Sequence, residues 1–197
     1  MLGNLVRKIG DNLFQHTNAS LVRAGAKPEW AYTLSLASAA AASIAFVSRW
    51  LWVGLILLVF HGTFDYLDGG LCRASGQGNQ RPKWWRMDAH ALVDKASEVI
   101  LIAGLVGGNW AGWPLGIAAA MSSIVVTVVG MSAKRWFDID PGRVLFDRTD
   151  RLLVLLLAGM MGAFNIALAL VCLMNGIILF QRVVYILLAV RTHNWTT

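Results

Sequence analysis

Asp65 and Asp68 stand three residues apart, and Asp94 and Glu98 four apart. Both spacings put a pair of carboxylates on one face of a helix. Four such groups near one membrane surface repel each other unless cations lie between them. An oxygen-only set suits Mg2+, Mn2+ or Ca2+, with Mg2+ favoured where phosphate supplies the other ligands. Gly69 follows Asp68 directly, and a glycine lets backbone come close to a ligand. Arg73 ends the stretch, with a guanidinium that can fork onto phosphate. Two acids, a glycine and an arginine within nine residues describe a site for a metal-bound diphosphate. The competing reading makes the acids ordinary helix-end partners of Arg73, Arg86 and Lys95. That reading suits one isolated acid better than it suits this cluster.

The elements that must carry these residues are apolar. Of the 197 residues 57% are hydrophobic and 14% charged, where globular proteins carry about 25% charged residues. Apolar stretches over residues 30–47, 50–64, 91–106, 113–130 and 152–190 approach the roughly 20 residues that a membrane-spanning helix needs. The last is about twice one span, and Gly162, Ala163, Phe164 and Asn165 offer its break. The expectation is an all-α integral membrane protein with six transmembrane helices.

The net charge of +6 raises nucleic acid as a partner, but the positions of the charges exclude it. Arg7, Lys8, Arg23 and Lys27 precede the first span, and Arg73, Arg81, Lys83, Arg86 and Lys95 fall between the second and third. Lys134, Arg135, Arg143, Arg148 and Arg151 fall between the fourth and fifth, and Arg182 and Arg191 end the sixth. The alternate connections carry Arg49 alone. This positive-inside pattern puts both termini in the cytosol. A transporter is disfavoured, because the charges gather at one face and not at the bilayer midplane.

Leu2, Leu5, Val6, Ile9 and Leu13 recur at helical spacing beside Arg7, Lys8 and Asp11. They read as an amphipathic helix on the membrane surface, not as a signal peptide. The chain thus divides into a juxtamembrane segment over 1–29, a membrane domain over 30–191 and a tail over 192–197. Small residues over 37–42 allow close helix contact, residues 74–82 read as a cytosolic loop, and Trp84 and Trp85 as interface anchors. Cys72 and Cys172 are too few for a disulfide framework. His61, one turn before Asp65, reads as a buried residue that packs beside the site or supports it from behind. Asn175 and Gln181 read as hydrogen-bonding residues between helices.

The stretch from Gly62 through Asp65, Asp68, Gly69 and Cys72 to Arg73 resembles the signature of the CDP-alcohol phosphotransferases. That motif reads D-x-x-D-G-x-x-A-R, a gap, then G-x-x-x-D-x-x-x-D, and here Cys72 stands where alanine is usual. Asp147, Arg148, Asp150, Arg151, Leu152 and Leu153 look like the family's E-R-x-E-R-L-L start of the fifth helix. Ser132 to Arg135 is similar to the basic end of the fourth, and Asn175 with Gln181, Arg182 and Tyr185 is similar to the end of small prokaryotic inositol-phosphate-type synthases. Gly25 to Pro28 resembles the family's G-x-x-P-N-x-x-T, with Glu29 in place of Asn and Tyr32 in place of Thr. The second half of the signature departs most. Asp94, Lys95, Ser97 and Glu98 resemble the D-[KR]-x-S-[DE] that begins at the fourth metal acid, which puts His90 in the third position and Arg86 at the glycine. The alternative register takes Asp94 and Glu98 as third and fourth acids, with His90 at the glycine. Either needs a longer connecting loop than is usual.

The resemblance implies a CDP-linked lipid as donor, an alcohol acceptor whose hydroxyl attacks the β-phosphate, and CMP as leaving group. It implies Mg2+ or Mn2+, two ions, held by Asp65, Asp68 and Asp94 with His90 or Glu98. Asp68, Gly69 and Arg73 contact the donor's CDP moiety, and the last acid of the motif, Asp94 or alternatively Glu98, is the base. Lys134, Arg148 and Arg151 exceed what topology requires and suit a phosphorylated acceptor such as inositol phosphate. Against this stands pairing of Arg148 and Arg151 with Asp147 and Asp150. A glycerol-phosphate or serine acceptor, or a catalytically silent member that binds lipid or nucleotide, are the alternatives. The resemblance also implies a homodimer in a prokaryotic cytoplasmic membrane with its site facing the cytosol.

Overall fold

The computed structural model describes residues 18, 20–25, 28–74, 83–137, 145–146 and 148–192; inside the helices the side chains of residues 28, 68–69, 72–74, 83–91, 136–137 and 192 lie outside that description. The expected surface helix near the N-terminus, most of the expected cytosolic loop, Asp147 and the C-terminal tail lie outside it as well.

Among the described residues six helices follow in order: α1 (Pro28–Val47), α2 (Leu51–Ala74), α3 (Lys83–Gly107), α4 (Trp113–Phe137), α5 (Arg148–Met160) and α6 (Phe164–Thr192). Pro28 opens α1 and Pro114 sits in the first turn of α4, where the missing N–H of proline is no loss. Lys134 and Arg135 lie in the last turn of α4 and complement the negative end of its dipole.

Three helix ends share one device. Arg49, Asn109 and Gly162 have positive φ angles of 63°, 57° and 69°. Beyond them the amides of Trp50, Trp110 and Ala163 return to the carbonyls of Ala45, Leu105 and Ala158 at 2.8, 2.9 and 2.8 Å. Each is a left-handed cap that satisfies the last carbonyls and reverses the chain at once. So α1–α2, α3–α4 and α5–α6 are antiparallel hairpins that turn at one end of the bundle, and the longer connections lie at the other.

At the hairpin end the interior is apolar. Phe164 packs edge-on against Phe46 and Trp110 with centroids 5.8 and 6.0 Å away, and the Trp110 indole donates to the Phe46 carbonyl at 2.8 Å. Helix α1 packs on α2 and α3 through fully buried Ala39 and Ala42, as the run of small residues predicts. At Gly104 an added Cβ would lie 2.5 Å from the Ser43 Cα, so α1 and α3 cross at a point where only glycine fits.

Glu29–Val47, Trp113–Arg135 and Phe164–Arg191 are long and apolar enough to cross a membrane, and Leu51–Leu67 is a shorter apolar stretch. Trp30, Ile44, Ile117, Val128, Leu173 and Phe180 point outward, while His61, Glu98, Arg151 and Asn175 are buried. Water would penalise such an apolar exterior, and lipid favours it. The chain is an all-helical integral membrane protein. Two boundaries differ from the sequence expectation. Helix α2 runs on through the whole Asp65–Arg73 stretch, and α3 begins at Lys83, so Asp94 and Glu98 lie about three and four turns inside it and not on its first turns. Backbone hydrogen bonding continues past the point where apolar composition stops.

Candidate active site

The polar residues gather at the end opposite the hairpin turns. Helix α2 brings His61 and Asp65 one turn apart, α3 brings Asp94, Lys95 and Glu98, and α5 brings Arg148 and Arg151 in its first turns. An i,i+3 pair at the start of a helix points to neighbouring directions, and here the two arginines serve two separate groups.

Arg148 reaches the carboxylates of both Asp65 and Asp94 through Nη1. Its Nη2 lies 3.1 Å from His61 Nε2. His61 has no exposed surface, and its Nδ1 lies 2.9 Å from the Ser35 carbonyl oxygen and 3.0 Å from the Ser35 hydroxyl. Helices α2, α3 and α5 therefore meet around one guanidinium, with α1 behind His61.

Arg151 serves the second group. Its Nε lies 3.5 Å from Glu98 Oε1, and its Nη1 donates to Asn175 Oδ1 at 2.9 Å. Lys95 Nζ donates to Glu98 Oε2 and to Ser123 Oγ, both at 2.6 Å. Asn175 Nδ2 donates in turn to Ser122 Oγ at 3.0 Å. Glu98, Arg151 and Asn175 are 8%, 7% and 0% exposed. In so dry a place an unpaired charge is costly, and the two cations and one anion are tied into a network across α3, α4, α5 and α6. His61, Glu98, Arg148 and Arg151 line a cleft together with Leu101, Leu152 and Leu155.

The structure thus brings Asp65, Asp94 and Arg148 together and sets Glu98 with Lys95 and Arg151. Lys134 lies near the end of α4. Asp68, Gly69, Arg73 and His90 belong to α2 and α3, but their side chains lie outside the described residues. Among the described residues no three His, Cys, Asp or Glu side chains gather at metal-ligand spacing. The fit to a divalent ion can still be read from Arg148. Carboxylate oxygens from two helices already turn onto one cationic group, and oxygen donors of this kind suit Mg2+ or Mn2+.

Sequence reasoning did not link His61 to Ser35 on another helix, nor Arg182, whose Nη1 donates to the Val126 carbonyl on α4. Asn175 and Gln181 do bond between elements, Gln181 accepting from the Leu145 amide at 3.1 Å.

No family model matches the chain. Archaetidylinositol phosphate synthase of Methanothermobacter thermautotrophicus is 25% identical to it over 154 residues, 75% of this chain and 76% of that protein. The crystal structure of Mycobacterium tuberculosis phosphatidylinositol phosphate synthase with CDP-DAG bound matches with a TM-score of 0.72 at 20% identity, over 89% of this chain and 94% of that one. The same synthase in complex with manganese and citrate matches with a TM-score of 0.70 at 20% identity, over 88% of each chain. The family resemblance is borne out. The chain is similar to CDP-alcohol phosphotransferases in sequence, and it has the fold of a solved one.

Proposed function

We propose that the protein is a divalent-metal-dependent transferase that moves a phosphatidyl group, or its archaeal equivalent, from a CDP-linked lipid to inositol phosphate and releases CMP. The observation that carries this reading is the convergence of Asp65 and Asp94 on one cationic group, with Arg151 close by. The similarity to an archaetidylinositol phosphate synthase and the fold shared with a phosphatidylinositol phosphate synthase support the acceptor. Mg2+ or Mn2+, held by Asp65, Asp68 and Asp94, would neutralise the donor diphosphate when bound.

The remaining work falls to the chain. Gly69 and Arg73 take the CDP part of the donor. Asp94 accepts the proton of the inositol hydroxyl as its oxygen bonds to the β-phosphorus, and the bond from that phosphorus to the CMP oxygen breaks. Glu98 is committed to Lys95 and Arg151, which favours Asp94 over Glu98 as this base. Lys134, Arg148 and Arg151 receive the acceptor phosphate. All six helices form the membrane domain over 30–191, and their basic end, which holds the site, faces the cytosol.

The test is to incubate purified protein with CDP-diacylglycerol or its archaeal counterpart, Mg2+ or Mn2+, and inositol phosphate, glycerol phosphate or serine, and to follow CMP. Release with inositol phosphate is expected, with loss in EDTA and in Asp65→Asn. A preference for serine, or turnover undiminished by EDTA, refutes the reading.

A further inference from the structure

We infer that His61 is a positioning residue for Arg148, holding the guanidinium through a ring tautomer that Ser35 imposes. The inference rests on the reading above only in making Arg148 a receptor for acceptor phosphate. The geometry itself stands apart from it.

The argument starts from the Ser35 carbonyl, which can only accept. With His61 Nδ1 at 2.9 Å from it, the proton must sit on Nδ1. The Ser35 hydroxyl, 3.0 Å from the same nitrogen, shares that proton, and lies 3.5 Å from the His61 carbonyl, to which it can donate. Nε2 is then bare and carries a lone pair. Opposite it, at 3.1 Å, stands Arg148 Nη2, a group that can only donate. Every contact of the ring agrees on one neutral tautomer, and the reverse one would set N–H against N–H and a lone pair against a carbonyl.

Burial makes the arrangement consequential. His61 is fully buried on α2 and Ser35 is buried on α1, so neither nitrogen has water as an alternative partner. The two carboxylates pull Arg148 through Nη1, and His61 holds Nη2 from the side. Were a metal to take those carboxylates, the His61 contact at Nη2 would remain to set the angle of the planar guanidinium, which is what recognition of phosphate by a fork requires. Ser35 on α1 thereby sets the angle of an arginine on α5 without touching it.

Two substitutions separate the halves of the ring. His61→Asn puts an amide N–H near Nδ1 and keeps the Ser35 contact but has nothing at Nε2. His61→Gln can place a carbonyl oxygen near Nε2 and keep Arg148, but gives up Ser35. The acceptor KM of CMP release should rise about tenfold in His61→Asn, the scale of a lost hydrogen bond to a charged group, with the donor KM held. His61→Gln should restore most of it. A role confined to the buried anchor on Ser35 predicts the opposite order, since Asn keeps that hydrogen bond and Gln gives it up, and that order would overturn the proposal.

A second measurement needs no turnover. Nitrogen-15 NMR of imidazole-labelled full-length protein, with His61 assigned by its loss in His61→Gln, should show a protonated Nδ1 and a bare Nε2. Arg148→Ala should move the Nε2 signal more than the Nδ1 signal. A protonated Nε2, or an Nε2 signal indifferent to Arg148→Ala, refutes the inference. A wild type that releases no CMP refutes the transferase reading alone, because the nitrogen signature still decides whether His61 holds Arg148.

Discussion

Replacing Glu98 by glutamine changes one charge and almost no volume, and the structure fixes what should follow. The carboxylate has one cation on each oxygen: Lys95 Nζ at 2.6 Å on Oε2 and Arg151 Nε at 3.5 Å on Oε1. Glutamine keeps one acceptor for Lys95 and turns a donor amide toward Arg151. Two cations are then left with no anion between them, in a site where Glu98 and Arg151 are less than a tenth exposed. Removing one partner from a buried charge group costs about 3–5 kcal/mol. The surviving bond to Lys95 puts the expectation at the lower end, about 3 kcal/mol. On the scale of a soluble domain of this size, about 2–4 °C per kcal/mol, that is a fall of roughly 6–12 °C in melting temperature.

Thermal unfolding of the detergent-purified protein reads the fall, and CMP release on the same preparation reads the chemistry. The acceptor KM should rise, because Arg151 loses one of its two anchors, while kcat stays within about tenfold of wild type. Adding Lys95→Met to Glu98→Gln removes the second cation and should recover much of the lost stability. A general base behaves otherwise, its loss costing about 10^2–10^4-fold in rate without any need for unfolding. An unchanged melting temperature beside a thousandfold fall in kcat would refute the reasoning and make Glu98 the base.

Three further substitutions test the site and the helix packing. Asn175→Leu removes the acceptor of Arg151 Nη1 at 2.9 Å and the donor to Ser122 at 3.0 Å; it should cost about 2 kcal/mol and raise the acceptor KM with the donor KM unchanged, and equal effects on both would count against the assignment of Arg151 to the acceptor. Gly104→Ala places a methyl 2.5 Å from the Ser43 Cα and should cost about 1–3 kcal/mol by overpacking, whereas Gly176→Ala, with nothing within 4 Å, should leave the melting temperature in place.

Much of this arrangement is legible in the sequence, for physical reasons that also mark its limits. Apolar runs and the alternation of basic connections give helix number and order, because lipid leaves the backbone no other partner than itself. Gly162 and Asn109 announce their turns, since both types tolerate a left-handed backbone. Arg49 does not, because its positive φ of 63° comes from the hairpin and not from its own preference. Asp65 and Asp94 are each legible as charges where apolar residues are expected, in the pairs Asp65 with Asp68 and Asp94 with Glu98. That Arg148 serves both, and Glu98 serves Lys95 and Arg151 instead, is tertiary information, since i,i+3 and i,i+4 spacing gives the face of a helix but not its neighbour. Ser35 carries no signal at all among the small residues of α1, and its role exists only once α1 and α2 are packed.

The shortest helix joins these parts. Helix α5 (Arg148–Met160) is not among the segments long and apolar enough to cross a membrane, yet it supplies both arginines and touches α2 and α6. At its apolar end Gly159 lies against Leu55 and Phe164, and at its polar end Arg148 ties it to α2 and α3 while Arg151 ties it to α3 and α6. A short helix buries less apolar area than its neighbours, so its place depends more on these charge contacts. The same contacts that seat α5 are those the proposed chemistry draws upon: a divalent ion at Asp65 and Asp94 competes with Arg148 for the same oxygens, and a phosphate near Arg148 offers that arginine a replacement. On the proposed reading, metal and acceptor binding would exchange partners around α5 without leaving a charge unmatched, and the second network at Arg151 and Asn175 would keep the helix seated.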